Sequence, residues 1–306
     1  MPISHQEDRD MPRKAKMTDE ERRAYSAKMR GELEAVMDRA YGAMVASEEF
    51  WAAVMRTAAN LTHTDRDDRS PTNCMAITAQ CPNATHVLSS GDWRKVGRFP
   101  AKGSTSLRIW TPIKRRPEEG QEATAAAADG GQREAASEAA EGETRKVSGF
   151  KAGPVFDISQ TDGDAYEPPA AAPLAAEVIR DVLVNQYRDQ YHEDPEQAGG
   201  FDFTQDAPDN AVRILLYGHA WRRITEADAP LPGQHAAEVA SAAHVAALIL
   251  GINPGPAVMP PLAGIVTQDR KPPVHESAVR AIETGRAIAR AVTAAAERRR
   301  ELAVTG

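Results

Sequence analysis

The stretch from residue 117 to about 148 sets the strongest limit on how this chain can fold. It contains PEEGQEATAAAADGGQREAASEAAEGET, which is low in complexity, acidic and nearly devoid of large apolar side chains. Such a segment cannot bury enough surface to offset the entropy lost on ordering it, so disorder is expected over 117–148. Sequence of strand character stands on both sides. SLRIW, before it, alternates side chains between two faces, and FKAGPVFDISQTDG resumes after it. The run therefore reads as an insertion within a domain.

Elsewhere helical spacing dominates. Residues 1–17 mix charges without periodicity and read as a disordered tail. Thr18 with Glu21 forms a capping-box pattern, and Met29, Leu33, Val36 and Met37 follow at helical spacing. Ser47 caps a second helix with Phe50, Trp51, Val54 and Met55 on its core side, ending near Asn60. Ser70 and Pro71 open a short helical run over 73–80. YEPPAAAP marks a boundary near 165–173. Beyond it come helical segments over 174–192, 210–224 and 233–251, a proline-rich loop over 254–261, and a long final helix from Ser277. The expected class is α+β: N-terminal helices packed on a small, mostly antiparallel sheet over 18–165, then a mainly helical domain over 174–306.

The 306 residues are enough for two modest domains, and a formal net charge of -7 excludes a uniformly basic, histone-like protein. Any contact with nucleic acid has to come from a local patch. Cys74 and Cys81 match neither a redox CxxC nor a paired zinc knuckle, and read as free thiols in a reducing cytoplasm. No apolar stretch suits a signal peptide or a membrane span, so a cytoplasmic protein without a membrane partner is expected.

One local patch stands out. Between Ala84 and Arg116 lie Arg94, Lys95, Arg98, Lys102, Arg108, Lys114, Arg115 and Arg116, opposed only by Asp92, an excess of seven positive charges. Trp93, Phe99 and Trp110 are interleaved with them, and Gly91, Gly97 and Gly103 permit tight turns. Cations that follow a phosphate backbone, with rings on which unpaired bases stack, are what single-stranded nucleic acid needs. The plainer alternative is a solvated basic hairpin whose aromatics point into the core.

The run SPTNCMAITAQCPNATHVLSSGDWRKVGRFPAKG, continued by RIWTPI and, after the insertion, by VFDISQTDG, resembles the N-terminal domain of the ArdC-type antirestriction proteins of plasmids and other mobile elements. The resemblance is carried by Asn73, Gln80, Pro82, Ala84, Thr85, Trp93, Gly97, Arg98, Lys102, Gly103, Ile109 and Pro112. Its second block is Val155, Phe156, Asp157, Ser159, Gln160 and Thr161. It implies an α+β domain that binds single-stranded DNA and protects DNA from restriction during transfer. The expected contacts are Trp93, Arg94, Lys95, Arg98, Lys102 and Arg108 for stacking and backbone charge, with Asn73 and Gln160 orienting the loop or touching DNA. Asp157 and Thr161 are expected to be structural. Two departures matter: STS follows Lys102-Gly103 where the family continues with charged residues, and the insertion at 117–144 carries a local charge of -7, which could compete with phosphate for the patch.

The same family commonly continues with a zincin-type peptidase domain, whose HExxH helix sets two histidines toward one metal and a glutamate toward its water. The corresponding helix here reads LLYGHAWRRI, with Tyr217, Gly218 and Trp221 where the histidine, glutamate and second histidine would stand. Glycine has no carboxylate, and an indole N–H only donates. The resemblance thus implies a zincin-like fold whose catalytic centre is gone, although Glu238 survives near the place of the third ligand and PPLAGIV is similar to the closing segment. A pseudoenzyme without cofactor or metal is expected. A metal site rebuilt from His219, His235, Glu238 and His244, making a divergent zinc metalloprotease, and a scaffold that holds a protein partner through the C-terminal helices are the alternatives.

Overall fold

The computed structural model describes residues 17–62, 68–115, 146–168, 173–199, 207–229, 231–264 and 271–305. The expected disorder of the N-terminal tail, and of all but the last few insertion residues, lies outside them. The fold is α+β.

Helix α1 (Asp19–Ala46) starts where the capping box puts it: Thr18 Oγ1 accepts from Glu21 N–H at 3.2 Å, and the Glu21 carboxylate accepts from Thr18 N–H at 2.7 Å. Its buried side, Met29 to Met44, begins only after ten helical residues, so the first turns project beyond the core. Ser47 Oγ caps α2 (Glu48–Asn60), and Ser70 Oγ caps α3 (Pro71–Gln80), whose leading proline lacks the N–H that a first-turn residue would leave unpaired.

The short strand β1 (Val87–Leu88) and helix α4 (Ser90–Lys95) precede strands β2 (Arg98–Pro100) and β3 (Leu107–Arg115). After the insertion, β4 (Lys146–Asp157) pairs antiparallel with both β1 and β3, in the order β1-β4-β3, and β5 (Thr161–Gly163) pairs with β2. Register places Leu107 opposite Val155 and Arg115 opposite Lys146, with an irregularity between Pro112 and Lys114. Because β4 starts at Lys146, residues 146–148 belong to a strand and not to the insertion. Strand order leaves β3 at an edge, and α3 closes it. The Asn73 amide donates to Trp110 O and accepts from Trp110 N–H, and the Gln80 amide does the same for Arg108, at 2.8–2.9 Å. Two carboxamides seven residues apart on one helix thus stand in for a neighbouring strand.

The C-terminal part is helical: α5 (Ala176–Tyr191), α6 (Pro195–Gly199), α7 (Pro208–Arg223), α8 (Gln234–Ile249) and α9 (Pro273–Thr305). Two apolar cores result. One joins α1, α2, α3 and the β3–β4 hairpin to Val245 of α8 and to Val274, Ala278, Ala281 and Ile282 of α9. The other joins α5 and α7 to further faces of the same α8 and α9. The boundary expected at 165–173 falls just before α5, yet both cores share the last two helices. Alanines and Gly285 let those helices approach closely, since a Cβ at 285 would lie 2.6 Å from Ala242 O. Buried polar groups between them are satisfied. Glu238 accepts from Gln234, Ser277 and twice from Arg280, while Arg286 donates to Ala58 O, Thr62 Oγ1 and Arg69 O. No helix among the described residues is long and apolar enough to cross a membrane.

Candidate nucleic-acid interface

Most of the basic segment forms α4, a turn and β2. Ser89 Oγ accepts from Asp92 N–H and opens the helix, which ends at Val96. Gly97, at φ 73°, then reverses the chain, and a side chain there would collide with the Asp164 carboxylate. A second left-handed glycine, Gly103 at φ 89°, turns β2 toward β3.

Trp93 is fully buried. Its indole N–H donates to Phe156 O at 2.9 Å, and its ring meets His86 and Tyr166 edge to face. It fastens α4 to β4 and offers no face to a base, so the stacking role expected of it is corrected. The amphipathic indole is simply worth more inside, with its one donor satisfied. Asn73 and Gln160 are likewise committed to the fold. Asn73 closes the β3 edge, while Gln160 accepts from Asp157 N–H and donates to Thr105 O. Both amides thus hold the local fold, the first of the two roles expected of them. Arg98 is half-buried and donates to Thr161 Oγ1, Thr161 O and Asp164 O, which pins β2 to β5 and uses most of its donors. Asp157 accepts from Thr85, His86 and Ser159 N–H groups, and Thr161 takes part in the Arg98 cluster; both are structural, as their strand-end positions suggested.

What remains at the surface is narrower. Arg94, Lys95 and Lys102 are exposed and Arg108 is half-buried. Lys95 pairs with Asp92 at 2.7 Å, and this contact, with the Ser89 hydroxyl, holds the Asp92 carboxyl below the usual range. Phe99 is 52% exposed, since alternation along β2 turns it away from the contacts that hold Arg98 and Pro100. Trp110 is half-buried, with the Arg30 guanidinium 5.7 Å from its ring centroid. Two further features bear on this surface: the strand alternation that exposes Phe99, and Lys151, an exposed cation that register sets opposite Thr111 on β3 and that lies outside the Ala84–Arg116 cluster. The side chains of Lys114 and Arg115, all of Arg116, and the postulated competition by the acidic insertion lie outside the described residues.

Comparison with protein-family models, with curated proteins and with solved structures finds no match for this chain.

On α7, Tyr217 and Trp221 share the solvent side, with ring centroids 6.2 Å apart and planes 28° from parallel. His219 faces the opposite way, is buried, and lies 3.0 Å from Leu183 O; burial lowers its pKa. His235 meets Ile224 O at 2.8 Å, and His244 meets Gly255 O at 2.6 Å with its pKa also lowered by burial. Glu238 is taken up by Arg280. Each group points to a different partner, and among the described residues no three His, Cys, Asp or Glu side chains converge on one point. Cys74 is buried and Cys81 half-buried, both as free thiols raised in pKa by burial.

Proposed function

We propose that the chain is a cytoplasmic single-stranded-DNA-binding protein that acts in antirestriction, protecting the DNA of a mobile element, and that it is not a working peptidase. The observation that carries the binding reading is the α4–β2 unit: Phe99 is exposed, and exposed Arg94, Lys95 and Lys102 lie within five residues of it in the chain, on a short element that Trp93 fastens to β4 and Arg98 to β5, with Asp162 the one exposed carboxylate set opposite Phe99 by the strand register. A ring on a stiff strand can stack on an unpaired base with little ordering cost, and flexible cations around it can follow the backbone. The antirestriction role and the loss of peptidase chemistry rest on the sequence resemblance and on Tyr217, Gly218 and Trp221 at the motif positions.

Fluorescence anisotropy with a labelled oligo(dT) tests the binding reading. Phe99→Ala is expected to weaken binding about tenfold, within the range for loss of one base–ring stack. Arg94→Ala with Lys102→Ala is expected to weaken it further at low salt. Unchanged affinity in both variants, with the wild-type fold retained, overturns this assignment.

A further inference from the structure

The pairing of β2 with β5 decides what stands beside the exposed Phe99 ring. Arg98, Pro100 and Thr161 turn to the inner face, where the Arg98 guanidinium donates to Thr161 Oγ1 at 2.9 Å. Phe99 and Asp162 lie directly opposite each other and so rise together from the outer face, with Cβ atoms about 5 Å apart. Both are exposed, and the Asp162 carboxylate has no hydrogen bond or ion pair among the described residues. Asp164, two residues on, is exposed with its carboxylate over Gly97. From Thr161 to Asp164 the chain carries no cation.

A free carboxylate restricts what can use the ring. Stacking on Phe99 alone accepts any base. An ionised carboxylate only accepts hydrogen bonds, so Asp162 repels phosphate on its own side and favours a base edge that presents N–H donors. Guanine offers two adjacent ones, N1–H and the 2-amino group, which match the two carboxylate oxygens, whereas thymine, cytosine and adenine each offer a single donor position on that edge. Phosphates are left to Arg94 and Lys102, exposed on either side of β2 in the chain and without an ion pair among the described residues; Lys95 is shared with Asp92. A basic peptide also suits a ring with carboxylates beside it, but the same cations repel it.

We infer that Asp162 is a specificity-determining residue of the α4–β2 unit, reading guanine in a single strand whose base stacks on Phe99. This rests on the single-stranded-DNA reading above. The full-length chain is titrated, by anisotropy, with labelled strands of about 10 nucleotides that alternate thymine with guanine, adenine or hypoxanthine, the last keeping N1–H and the size of guanine without the 2-amino group. The guanine strand is expected to bind about fivefold tighter than the other two, since half of its positions offer a bidentate pair worth about tenfold. Asp162→Asn is expected to abolish most of that difference and to strengthen binding of the adenine strand slightly at low salt, because a repulsive charge is gone. Asp164→Asn, which removes an equal charge from beside Gly97, is expected to keep the guanine preference. A circular-dichroism melt checks that both variants stay folded. Equal affinity for the three strands in the wild type, a guanine preference undiminished in Asp162→Asn, or one lost as fully in Asp164→Asn overturns the assignment; if Phe99→Ala still weakens binding, the single-strand reading stands without it. Wild-type protein that binds no strand at low salt overturns both, as does an oligolysine peptide that the wild type binds and Asp162→Asn does not while no strand is bound.

Discussion

Trp93 and Phe99 lie six residues apart in one basic segment, yet their fates are opposite. Trp93 is an anchor whose truncation leaves a large cavity and removes the indole's hydrogen bond to the Phe156 carbonyl. Trp93→Ala is expected to cost about 3–5 kcal/mol of stability, measured by urea denaturation, whereas Phe99→Ala is expected to change stability by less than about 1 kcal/mol. Lost DNA affinity in Trp93→Ala therefore reports unfolding, and only the Phe99 variant isolates stacking. His275 makes a separate prediction. Burial, with Lys271 adding to it, lowers its pKa to about 4, and its Nδ1 lies 3.0 Å from the Tyr41 hydroxyl, whose own pKa is raised by burial. Below about pH 6.5 the unfolded chain takes up this proton while the folded chain refuses it until near pH 4. Stability from the neutral ring is thus fully present above about pH 6.5 and is lost as pH falls toward 4, by about 3 kcal/mol at most. His275→Asn, which keeps an acceptor for Tyr41, is expected to flatten the pH dependence of the urea midpoint across that window; an identical slope contradicts the assignment.

Helix starts were legible because their signals are local. Thr18 with Glu21, Ser47, and Ser70 with Pro71 each satisfy first-turn N–H groups within three residues, so the sequence alone placed α1, α2 and α3. Helix α4 is masked in the sequence by Gly91 and Gly97 at its two ends, although Ser89 followed by Asp92 is a cap signal. The β2–β5 pair was not foreseen: it joins two three-residue strands some sixty positions apart, and no local pattern encodes such a pairing. The roles of Asn73 and Gln80 escaped for the same reason, since an edge needs closing only once strand order is known. Of the candidate site, the cations were legible but their availability was not, because burial of Trp93 and the bonding of Arg98 depend on β4 and β5. Close approach of α8 and α9 gives the test at this scale. Gly285→Ala puts a methyl against Ala242 O and Val245 and is expected to destabilise by about 1–3 kcal/mol, where Gly→Ala in an open helix would stabilise. A rise in melting temperature would contradict the packing described.

At the scale of the molecule, the sharing of α8 and α9 between two cores makes the N-terminal half dependent on the C-terminal one. Trp51, fully buried, donates its indole N–H to Ser241 Oγ on α8 at 2.9 Å, and Arg286 of α9 closes the end of α2. A fragment of residues 1–173 lacks these groups and is expected to show no cooperative unfolding by circular dichroism; a fragment that melts cooperatively would contradict the shared core. The same architecture gives the C-terminal helices a structural purpose, because α8 and α9 complete the core under the β1-β4-β3 sheet. It also sets the electrostatic problem. A chain of net charge -7 repels polyanions, so binding has to come from a few local cations, and the affinity has to respond to salt through them. The most direct measurement is the slope of log affinity for oligo(dT) against log salt, for the wild type and for Arg94→Ala, Lys95→Ala, Lys102→Ala. A falling line is predicted, shallower by about 2 in the triple variant at about 0.7 per lost phosphate contact. Parallel lines, or no binding at low salt, would contradict it.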